Sequence, residues 1–514
     1  EMAAIAAYPN LSCKGEQGTP RVIWGVEDIV MCPGKEDMFT FLQDVIDEMV
    51  PLFPSEYFHI GGDECPKISW KNCPLCQKRI KEEGLKADSK HSAEERLQSY
   101  VIQRMEKYLA TKGKKIIGWD EILEGGLAPS ATVMSWRGED GGIAAALMDH
   151  TVIMTPGGNG MYLDAYQGDS KIEPVTIGGY TLLEKTYSYD PIPDTLVAMG
   201  KSNYILGVQG NTWSEYMYDE AKRDYMVFPR ILAVAEIGWT NLDRKDYKDF
   251  ERRIENAYVR LDGHAINYHI PQPEQPNGSC NFVAFTDKAS LEFKTTRPIK
   301  MVYTLDGSEP TPASTAYTAP IEITETTTLK IASVLPSGKM SPIRTIQVEK
   351  QSLAPAKEVA KTTPGLNMEV TDGMYLNVKE LEAAQKETKK SVIKDLKEIR
   401  SVVKTSESMR GVNQYAAVAT GYVNIPEDGV YFISSDLEEV WIDGKLLVNN
   451  GGEVKRFSRH DSSVALAKGL HEIKAVFLGH IIGGWPSNWN DGSIKLRKSD
   501  AKEFTAVTPE MLCH

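Results

Sequence analysis

Hydrophobic positions in the first half of the chain alternate between helical spacing and short continuous runs. Apolar residues recur at helical spacing from Met38 to Met49 and from Leu97 to Leu109, where Ser92 and Glu95 predict a capping box ahead of the second helix. Residues 223–239 predict a closing apolar helix. Short apolar runs predict buried strands at residues 57–60, 115–119, 132–136, 151–155 and 204–208. Alternating strands and helices predict an α/β fold with a parallel sheet.

The pattern changes near residue 270, where prolines mark a linker and helical spacing gives way to alternation with period two. Residues 277–350 predict a small all-β sandwich, and residues 365–514 predict a second one after another linker. The charged run from Lys379 to Val403 is helix-like and fits the second sandwich poorly. We therefore expect three domains, at residues 1–270, 277–350 and 365–514.

Two adjacent carboxylates, Asp63 and Glu64, follow the first predicted strand after a pair of glycines. In an α/β barrel the carboxyl ends of the strands are where the chemistry is done, because the loops converge there. An acidic pair at such a turn can instead cap the next helix. The pair alone leaves both interpretations open.

Tryptophans with polar neighbours follow three later strands, as Trp119, Trp136 and Trp213, and the segment from Tyr162 to Asp164 lies between them. Indole rings beside carboxylates suit a sugar, because its C–H faces are apolar while its hydroxyl groups need polar partners. Several tryptophans at strand ends are hard to explain by packing alone. They favour a carbohydrate site over a helix cap.

Five motifs resemble, in the same order, those of glycoside hydrolase family 20, the β-N-acetylhexosaminidases. They are HIGGDE at 59–64, GWDE at 118–121, SWR at 135–137, YLD at 162–164 and QGNTWSE at 209–215. The resemblance implies a (β/α)8 TIM barrel of which this chain holds strands four to eight. The missing strands, with the family's substrate-clamping arginine, would then lie upstream. YTLDGSEP at 303–310 resembles the family's immunoglobulin-like module, and residues 421–446 resemble a PA14-type sandwich.

The resemblance also implies a retaining mechanism assisted by the substrate. Glu64 is expected to act as general acid and then base, while the 2-acetamido oxygen of the sugar is the nucleophile. Asp63 is expected to orient the acetamido group and, when ionised, to raise the pKa of Glu64. His59 either orients a carboxylate or is a structural histidine.

The binding residues implied by the resemblance surround this pair. Tyr162 is expected to donate to the acetamido carbonyl, and Asp120 and Glu121 to be rim groups. The family's tryptophan between YLD and WSE is absent, and Tyr180 or Tyr187 is a candidate replacement. The other expected contacts are Trp119 and Trp136 around the acetyl group, Trp213 under the ring, and Asp164 and Glu215 to outer hydroxyls.

These expectations describe an exo-acting β-N-acetylhexosaminidase that needs no cofactor and acts on glycans ending in N-acetylglucosamine or N-acetylgalactosamine. A disaccharide-releasing relative and a carbohydrate-binding protein without turnover are the alternatives. Trp485 and Trp489 suggest a sugar-stacking platform or, more simply, loop packing. A homo-oligomer stays possible on the sequence.

Net charge and hydropathy exclude some classes of binding partner. A net charge of −13 argues against nucleic acids and anionic membranes as partners. No apolar run reaches the length of a membrane span. The chain opens without a signal peptide but in an internal-looking helix, so family and modules imply a periplasmic, cell-surface or extracellular protein.

Seven cysteines leave two possibilities open. Cys73 and Cys76 form a Cys-x-x-Cys that, with Cys65 nearby, raises the possibility of zinc. There is no second Cys-x-x-Cys and no histidine at ligand spacing, so no metal site is predicted. Cys13 and Cys32 are candidates for a disulfide if the protein is exported.

Overall fold

The computed structural model describes residues 2–20, 25–384, 386–400, 415–450, 462–479, 481–482, 485–486 and 492–514. The chain divides into two compact units. The first unit comprises residues 1–164, 183–213 and 227–252, and the second comprises residues 165–182, 214–226 and 253–514. The predicted boundaries of the three domains stay predictions.

Five parallel strands form the sheet of the first unit, in the order β1-β2-β3-β4-β5. They are β1 (Tyr57–His59), β2 (Lys115–Trp119), β3 (Thr132–Ser135), β4 (Val152–Met154) and β5 (Ile205–Val208). The register pairs His59 with Ile117 and Ser135 with Met154. Because all five strands run the same way, their carboxyl ends meet at one edge of the sheet.

Helices cover this sheet and share a hydrophobic core with it. Phe39, Ile102, Val133 and Met154 are among its buried members, so side chains from helices and strands interlock. The helices of residues 2–263 are α1 (Met2–Ala7), α2 (Glu36–Met49), α3 (Ile68–Lys71), α4 (Pro74–Glu82), α5 (Ala93–Thr111), α6 (Asp140–Leu147), α7 (Leu183–Ser188), α8 (Asp194–Ala198), α9 (Glu220–Val227), α10 (Arg230–Trp239) and α11 (Tyr247–Gly263).

The predicted capping box of α5 is confirmed. The Ser92 hydroxyl accepts from the Glu95 backbone N–H at 3.2 Å, and the Glu95 carboxylate accepts from the Ser92 backbone N–H at 2.6 Å. The single closing helix was wrong, because α9 ends at Val227 and α10 begins at Arg230. Pro229 lies between them and has no N–H to continue the helical bonding.

Two groups of antiparallel strands dominate the second unit. The first group contains β6 (Phe282–Phe285), β7 (Ala289–Leu291), β8 (Lys300–Thr304), β9 (Thr315–Ala316), β10 (Ile321–Ile323), β11 (Thr327–Val334) and β12 (Arg344–Lys350). They form a five-stranded sheet in the order β6-β12-β11-β8-β9, in which β6 pairs with β12 in parallel, and a two-stranded sheet of β7 and β10. Their buried faces meet in one hydrophobic cluster.

The second group follows residue 365. It contains β13 (Leu366–Asp372), α12 (Val378–Ala383), β14 (Lys389–Ile393), β15 (Tyr415–Ile425), β16 (Gly429–Ser435), β17 (Glu439–Ile442), β18 (Lys445–Asn449), β19 (Ser462–Leu466), β20 (Gly469–Leu478), β21 (Ile481–Ile482), β22 (Trp485–Pro486), β23 (Ile494–Lys498), β24 (Thr505–Ala506) and β25 (Leu512–Cys513). One sheet runs β14-β13-β15-β20-β17-β18, with β25 beside β15, and another runs β19-β16-β23-β24. The predicted α/β fold followed by all-β structure is confirmed.

The charged run from Lys379 to Val403 and the two tryptophans of the predicted platform belong to this second group. The charged run is helical in α12, which ends at Ala383, but it does not continue as one helix, because β14 pairs with β13. Residues 385 and 401–403 of the run lie outside the described residues. The side chains of Lys389 to Val392 in β14 are exposed and that of Ile393 is buried, as an edge strand allows. The predicted tryptophan platform lies outside the described side chains, since Trp489 and the side chain of Trp485 are not described.

Among the helices of the described residues, none combines the length and the apolar character that a membrane crossing requires.

Candidate active site

The two predicted catalytic carboxylates lie just past the carboxyl end of β1. Pairing with β2 continues through this turn, because Ile60 donates to the Ile117 carbonyl at 2.9 Å and Trp119 donates to the Gly61 carbonyl at 2.9 Å. Gly62 has φ +91°, and a Cβ there would lie 2.5 Å from the Ile122 side chain. Only glycine fits this close turn without strain.

The turn gives the two carboxylates different surroundings. Asp63 is half-buried, and burial, followed by the negative charge of Asp120, raises its pKa. Glu64 is exposed and has φ +45°, which places a non-glycine residue in the left-handed region. Such strain is concentrated at functional sites. The geometry therefore favours a chemical role for this pair.

His59 has a structural contact in this turn. Its Nδ1 accepts from the Gly61 N–H at 3.0 Å, and its ring packs on Trp119 with 4.8 Å between ring centroids. Withdrawal of the imidazole from water lowers the pKa of His59. A neutral histidine holding the glycine turn agrees with the structural alternative for this residue.

Four aromatic side chains from the strand ends contact one another in a closed ring. This aromatic box consists of Trp119, Trp136, Tyr162 and Trp213. The ring centroids of Trp119 lie 6.4 Å from those of Trp136 and 5.3 Å from those of Trp213. Tyr162 is nearly parallel to Trp136 at 6.4 Å and perpendicular to Trp213 at 6.3 Å. The structure thus brings together four residues that the sequence motifs place far apart.

Backbone pairing beyond β4 and β5 positions Tyr162. Leu163 donates to the Asn211 carbonyl at 2.7 Å, and Asn211 donates to the Met161 carbonyl at 2.7 Å. A Cβ on Gly157 would lie 2.7 Å from the Tyr162 ring, so the glycine makes room for it. Tyr162 is therefore held between two strand ends, beside Trp213.

The charge environment keeps the Tyr162 hydroxyl protonated. Burial raises its pKa most, and the negative charges of Asp164, Asp120 and Glu64 raise it further. A protonated phenol can donate a hydrogen bond. This state suits the predicted contact with an acetamido carbonyl.

Asp120 and Glu121 are buried and hold Trp136 in place. One Asp120 carboxylate oxygen accepts from the Trp136 backbone N–H at 3.1 Å, and the other accepts from Arg137 Nε at 2.5 Å. Glu121 accepts from the Trp136 indole N–H at 2.8 Å, and burial raises the pKa of Glu121 to about 7. The two carboxylates thus orient a wall of the aromatic box.

Gln98 on α5 is a positioning residue that sequence reasoning missed. Its carbonyl oxygen accepts from Lys67 Nζ at 2.5 Å, and its amide donates to the Glu121 carbonyl at 3.0 Å. Lys67 follows the catalytic pair closely in sequence, so Gln98 joins that segment to the end of β2. Gln98 is one of several polar residues on α5, so its position in the helix carried no signal of this role.

The remaining predicted site residues differ from one another in burial and in the unit to which they belong. Asp164 is buried at 2% exposure in the first unit, while Glu215 is exposed and belongs to the second unit. Their expected contacts with sugar hydroxyls stay predictions. Tyr187 is 3% exposed and stacks on Phe250 at 4.8 Å, so it is not an open wall for a ligand. Tyr180 is half-exposed in the second unit.

Four cysteines, none of them part of the aromatic box, also come together. The sulfur atoms of Cys13, Cys32, Cys73 and Cys76 all lie within 4.8 Å of one another, and all four cysteines are free thiols. The candidate disulfide between Cys13 and Cys32 is therefore not formed in this structure. Cys65, which the sequence grouped with the Cys-x-x-Cys, is outside the cluster.

Three family models match successive parts of the chain. Residues 1–242 match the glycosyl hydrolase family 20 catalytic domain. Residues 284–345 match the chitobiase/beta-hexosaminidase C-terminal domain, and residues 376–508 match the PA14 domain. The three matches follow the order that the motifs indicated.

The chain is also similar to individual beta-hexosaminidases and to a solved chitobiase. A beta-hexosaminidase of Porphyromonas gingivalis is 54% identical over 511 residues, which cover 99% of this chain and 65% of the relative. A beta-hexosaminidase of Vibrio furnissii is 36% identical over 239 residues, covering 46% of this chain and 38% of the relative. The solved chitobiase of Flavobacterium johnsoniae shares 28% identity and a TM-score of 0.44, over 52% of this chain and 38% of that one. The chain thus spans only part of the length of these relatives.

Proposed function

Because the chain belongs to glycoside hydrolase family 20, we propose that the protein carrying it is an exo-acting β-N-acetylhexosaminidase. It removes terminal, non-reducing N-acetylglucosamine or N-acetylgalactosamine from glycans. The observation that carries the proposal is the aromatic box at the same sheet edge as Asp63 and Glu64. An apolar box beside two carboxylates accommodates an acetyl group and the polar bond next to it.

In the first step Glu64 donates its proton to the glycosidic oxygen. The carbonyl oxygen of the 2-acetamido group attacks C1, the C1–O bond breaks, and an oxazolinium ion forms. Asp63 accepts a hydrogen bond from the acetamido N–H, and Tyr162 donates one to the acetamido oxygen. An intramolecular nucleophile saves several kcal/mol of activation free energy, and a positioned acid adds roughly 10²–10⁴-fold.

In the second step Glu64 acts as base. It takes a proton from water, whose oxygen attacks C1 and opens the oxazolinium ring to restore the acetamido group. Two inversions at C1 give net retention of configuration. Adjacent carboxylates suit this scheme, because residues side by side at one strand end cannot easily flank a bond from opposite sides.

The binding roles follow the same assignment. Trp119 and Trp136 enclose the acetyl group, Trp213 lies under the sugar ring, and Asp164 and Glu215 bind the outer hydroxyls. Glu121 and Asp120 act through Trp136.

The compartment is part of the proposal. We place the enzyme in the periplasm, at the cell surface or outside the cell. The match to a PA14 domain supports this location, and the proposed glycan substrates occur there.

The test is turnover by the full-length protein that carries this chain. We expect release of 4-nitrophenol from 4-nitrophenyl N-acetyl-β-glucosaminide and galactosaminide but not from 4-nitrophenyl β-glucoside. Asp63→Asn should lower kcat by about 10²-fold or more, as loss of a charge aimed at the transition state does. Asp63→Asn removes that charge while keeping the size of the side chain.

Two outcomes would contradict the proposal. Tight binding of N-acetylhexosamine without turnover would identify a carbohydrate-binding protein. Release of disaccharides alone from natural glycans would identify an enzyme with an extended site. Circular dichroism of Asp63→Asn, compared with the unaltered protein, separates lost chemistry from lost folding.

A further inference from the structure

The four clustered cysteines come from three separate segments of the first unit. Cys13 follows a short turn at Pro9–Leu11, and Cys32 lies next to Met31, which pairs with Ser12. Cys73 and Cys76 flank the start of α4. The fold therefore brings distant parts of the chain together at their sulfur atoms.

The distances between sulfur atoms are those of ligands around one ion. Cys32 Sγ lies 3.5 Å from Cys76 Sγ and 3.7 Å from Cys73 Sγ, and Cys13 Sγ lies 3.8 Å from Cys76 Sγ. Four sulfurs placed tetrahedrally at the usual zinc–sulfur length of about 2.3 Å are separated by about 3.8 Å. A disulfide would bring two sulfurs to about 2.05 Å.

The backbone around the cluster is built to hold this geometry. A Cβ on Gly34 would lie 2.4 Å from the Leu75 carbonyl carbon and 2.7 Å from the Cys76 nitrogen, so only glycine lets these two turns approach. Lys35 Nζ donates to the Ser12 carbonyl at 2.7 Å and secures the turn that carries Cys13. Contacts with neighbouring segments thus fix the backbone that carries Cys13 and the backbone next to Cys32 and Cys76.

The surroundings are apolar. Cys32 and Cys76 have no exposed surface and Cys73 is 4% exposed, within a cluster that includes Trp70 and Leu97. Thiolates in such a place need a cation, because an unpaired buried charge is costly. Thiolate ligands favour zinc over hard cations such as magnesium and calcium.

We propose that Cys13, Cys32, Cys73 and Cys76 bind one zinc ion in a tetrahedral, four-thiolate site. The four thiols release their protons to solvent as the ion binds. A closed set of four protein ligands leaves no position for substrate, so the ion is structural. It lies outside the aromatic box and takes no part in hydrolysis.

The site fixes the segment that follows the catalytic pair. Trp70 Nε1 donates to the Met31 carbonyl at 2.9 Å, and the Ser69 hydroxyl donates to the Asp28 carbonyl. Zinc adds a covalent-strength link between the same two regions, at the beginning of α4. We therefore expect metal removal to loosen residues 64–76 before it disturbs β3 or β4.

Elemental analysis of the full-length protein, purified without chelator, tests the site. We expect about one zinc per chain, lost in Cys76→Ser and retained in Cys65→Ser, because Cys65 lies beside the cluster but is no ligand. If Cys76→Ser does not fold, cobalt exchanged into the unaltered protein gives a second readout. Tetrahedral thiolate coordination produces intense sulfur-to-cobalt charge-transfer absorption.

Three results would overturn the proposal. The first is a protein that contains clearly less than one zinc per chain and whose cysteines are joined in disulfides. The disulfides would appear as a loss of hydrogen in the mass of the denatured protein. The second is iron in place of zinc, and the third is equal loss of zinc in Cys65→Ser and Cys76→Ser. None of these readouts depends on hydrolase activity, so the site can fail while the proposed function stands.

Discussion

Carboxylates gather at the strand ends, and each has a different environment. Asp120 accepts from Arg137 Nε and from two backbone N–H groups, whereas Glu121 accepts from the Trp136 indole N–H and has an oxygen 3.7 Å from Arg137 Nε. Burial raises the pKa of Glu121 to about 7 and raises that of Asp63 as well. Burial thus favours the protonated form of Glu121 and of Asp63.

Glu121 should make stability depend on pH. In the folded protein the pKa of Glu121 is raised to about 7, whereas the ordinary pKa of a glutamate is 4.5. Its contribution to stability is therefore fully present below pH 4.5 and is lost as the pH rises through about 7. Relative to Glu121→Gln, we expect the free energy of unfolding of the unaltered protein to fall by on the order of 1 kcal/mol between about pH 5 and about pH 8.

Urea unfolding followed by tryptophan fluorescence at the two pH values measures this difference. Glu48→Gln is the matched control, since Glu48 is exposed on α2 and its removal should leave the pH dependence unchanged. A difference between the unaltered protein and Glu121→Gln that stays constant with pH would show that Glu121 does not hold its proton in the folded state.

At the scale of elements, α5 connects several parts of the site. Its capping box fixes where the helix begins, and its buried Gln98 reaches both Lys67 and the Glu121 carbonyl. The helix also shares the hydrophobic core through Ile102 and Leu109. The first turn of α5 thus contributes to stability, and its polar residue contributes to the position of the catalytic segment.

Removal of the α5 cap should destabilise the first unit. Ser92→Ala deletes the hydroxyl that accepts from the Glu95 N–H, and we expect a loss of about 1 kcal/mol in the free energy of unfolding. Ser89→Ala removes an exposed hydroxyl just before the helix and should change stability by less than about 0.5 kcal/mol. Equal effects of the two substitutions, measured by urea unfolding, would show that the cap is unimportant.

Elements with a strong local signal could be predicted from the sequence. The five parallel strands lie where the apolar runs indicated, with ends shifted by one residue, and β2 coincides with residues 115–119. The helix break was missed because the prediction for residues 223–239 followed the apolar residues and gave no weight to Pro229. The strand β14 was missed because an exposed edge strand has no regular pattern of apolar residues. Local pattern identifies an element more reliably than it locates its ends.

At the scale of the whole molecule, the sequence predicted those site residues that directly follow a recognisable strand. Asp63, Glu64 and the aromatic box share a sheet edge because parallel strands end together, so their proximity follows from the fold class. The contacts of Gln98 and Asn211 depend on tertiary pairing and carry no local signal. The cysteine cluster was also not predicted, because its members are far apart in the sequence and come from separate segments.

In the proposed mechanism the substrate's own amide performs the nucleophilic step. Fluorine on the acetyl methyl group withdraws electrons from the carbonyl oxygen and weakens it as a nucleophile, with little change in size. The kcat/KM values of 4-nitrophenyl glycosides carrying acetamido, monofluoro-, difluoro- and trifluoroacetamido groups therefore test the claim most directly. Binding of the corresponding free sugars controls for fit in the pocket.

We predict that kcat/KM of the full-length protein falls progressively with each added fluorine, while the affinity for the free sugars changes little. A series in which kcat/KM stays level would contradict substrate assistance and would require a nucleophile from the protein.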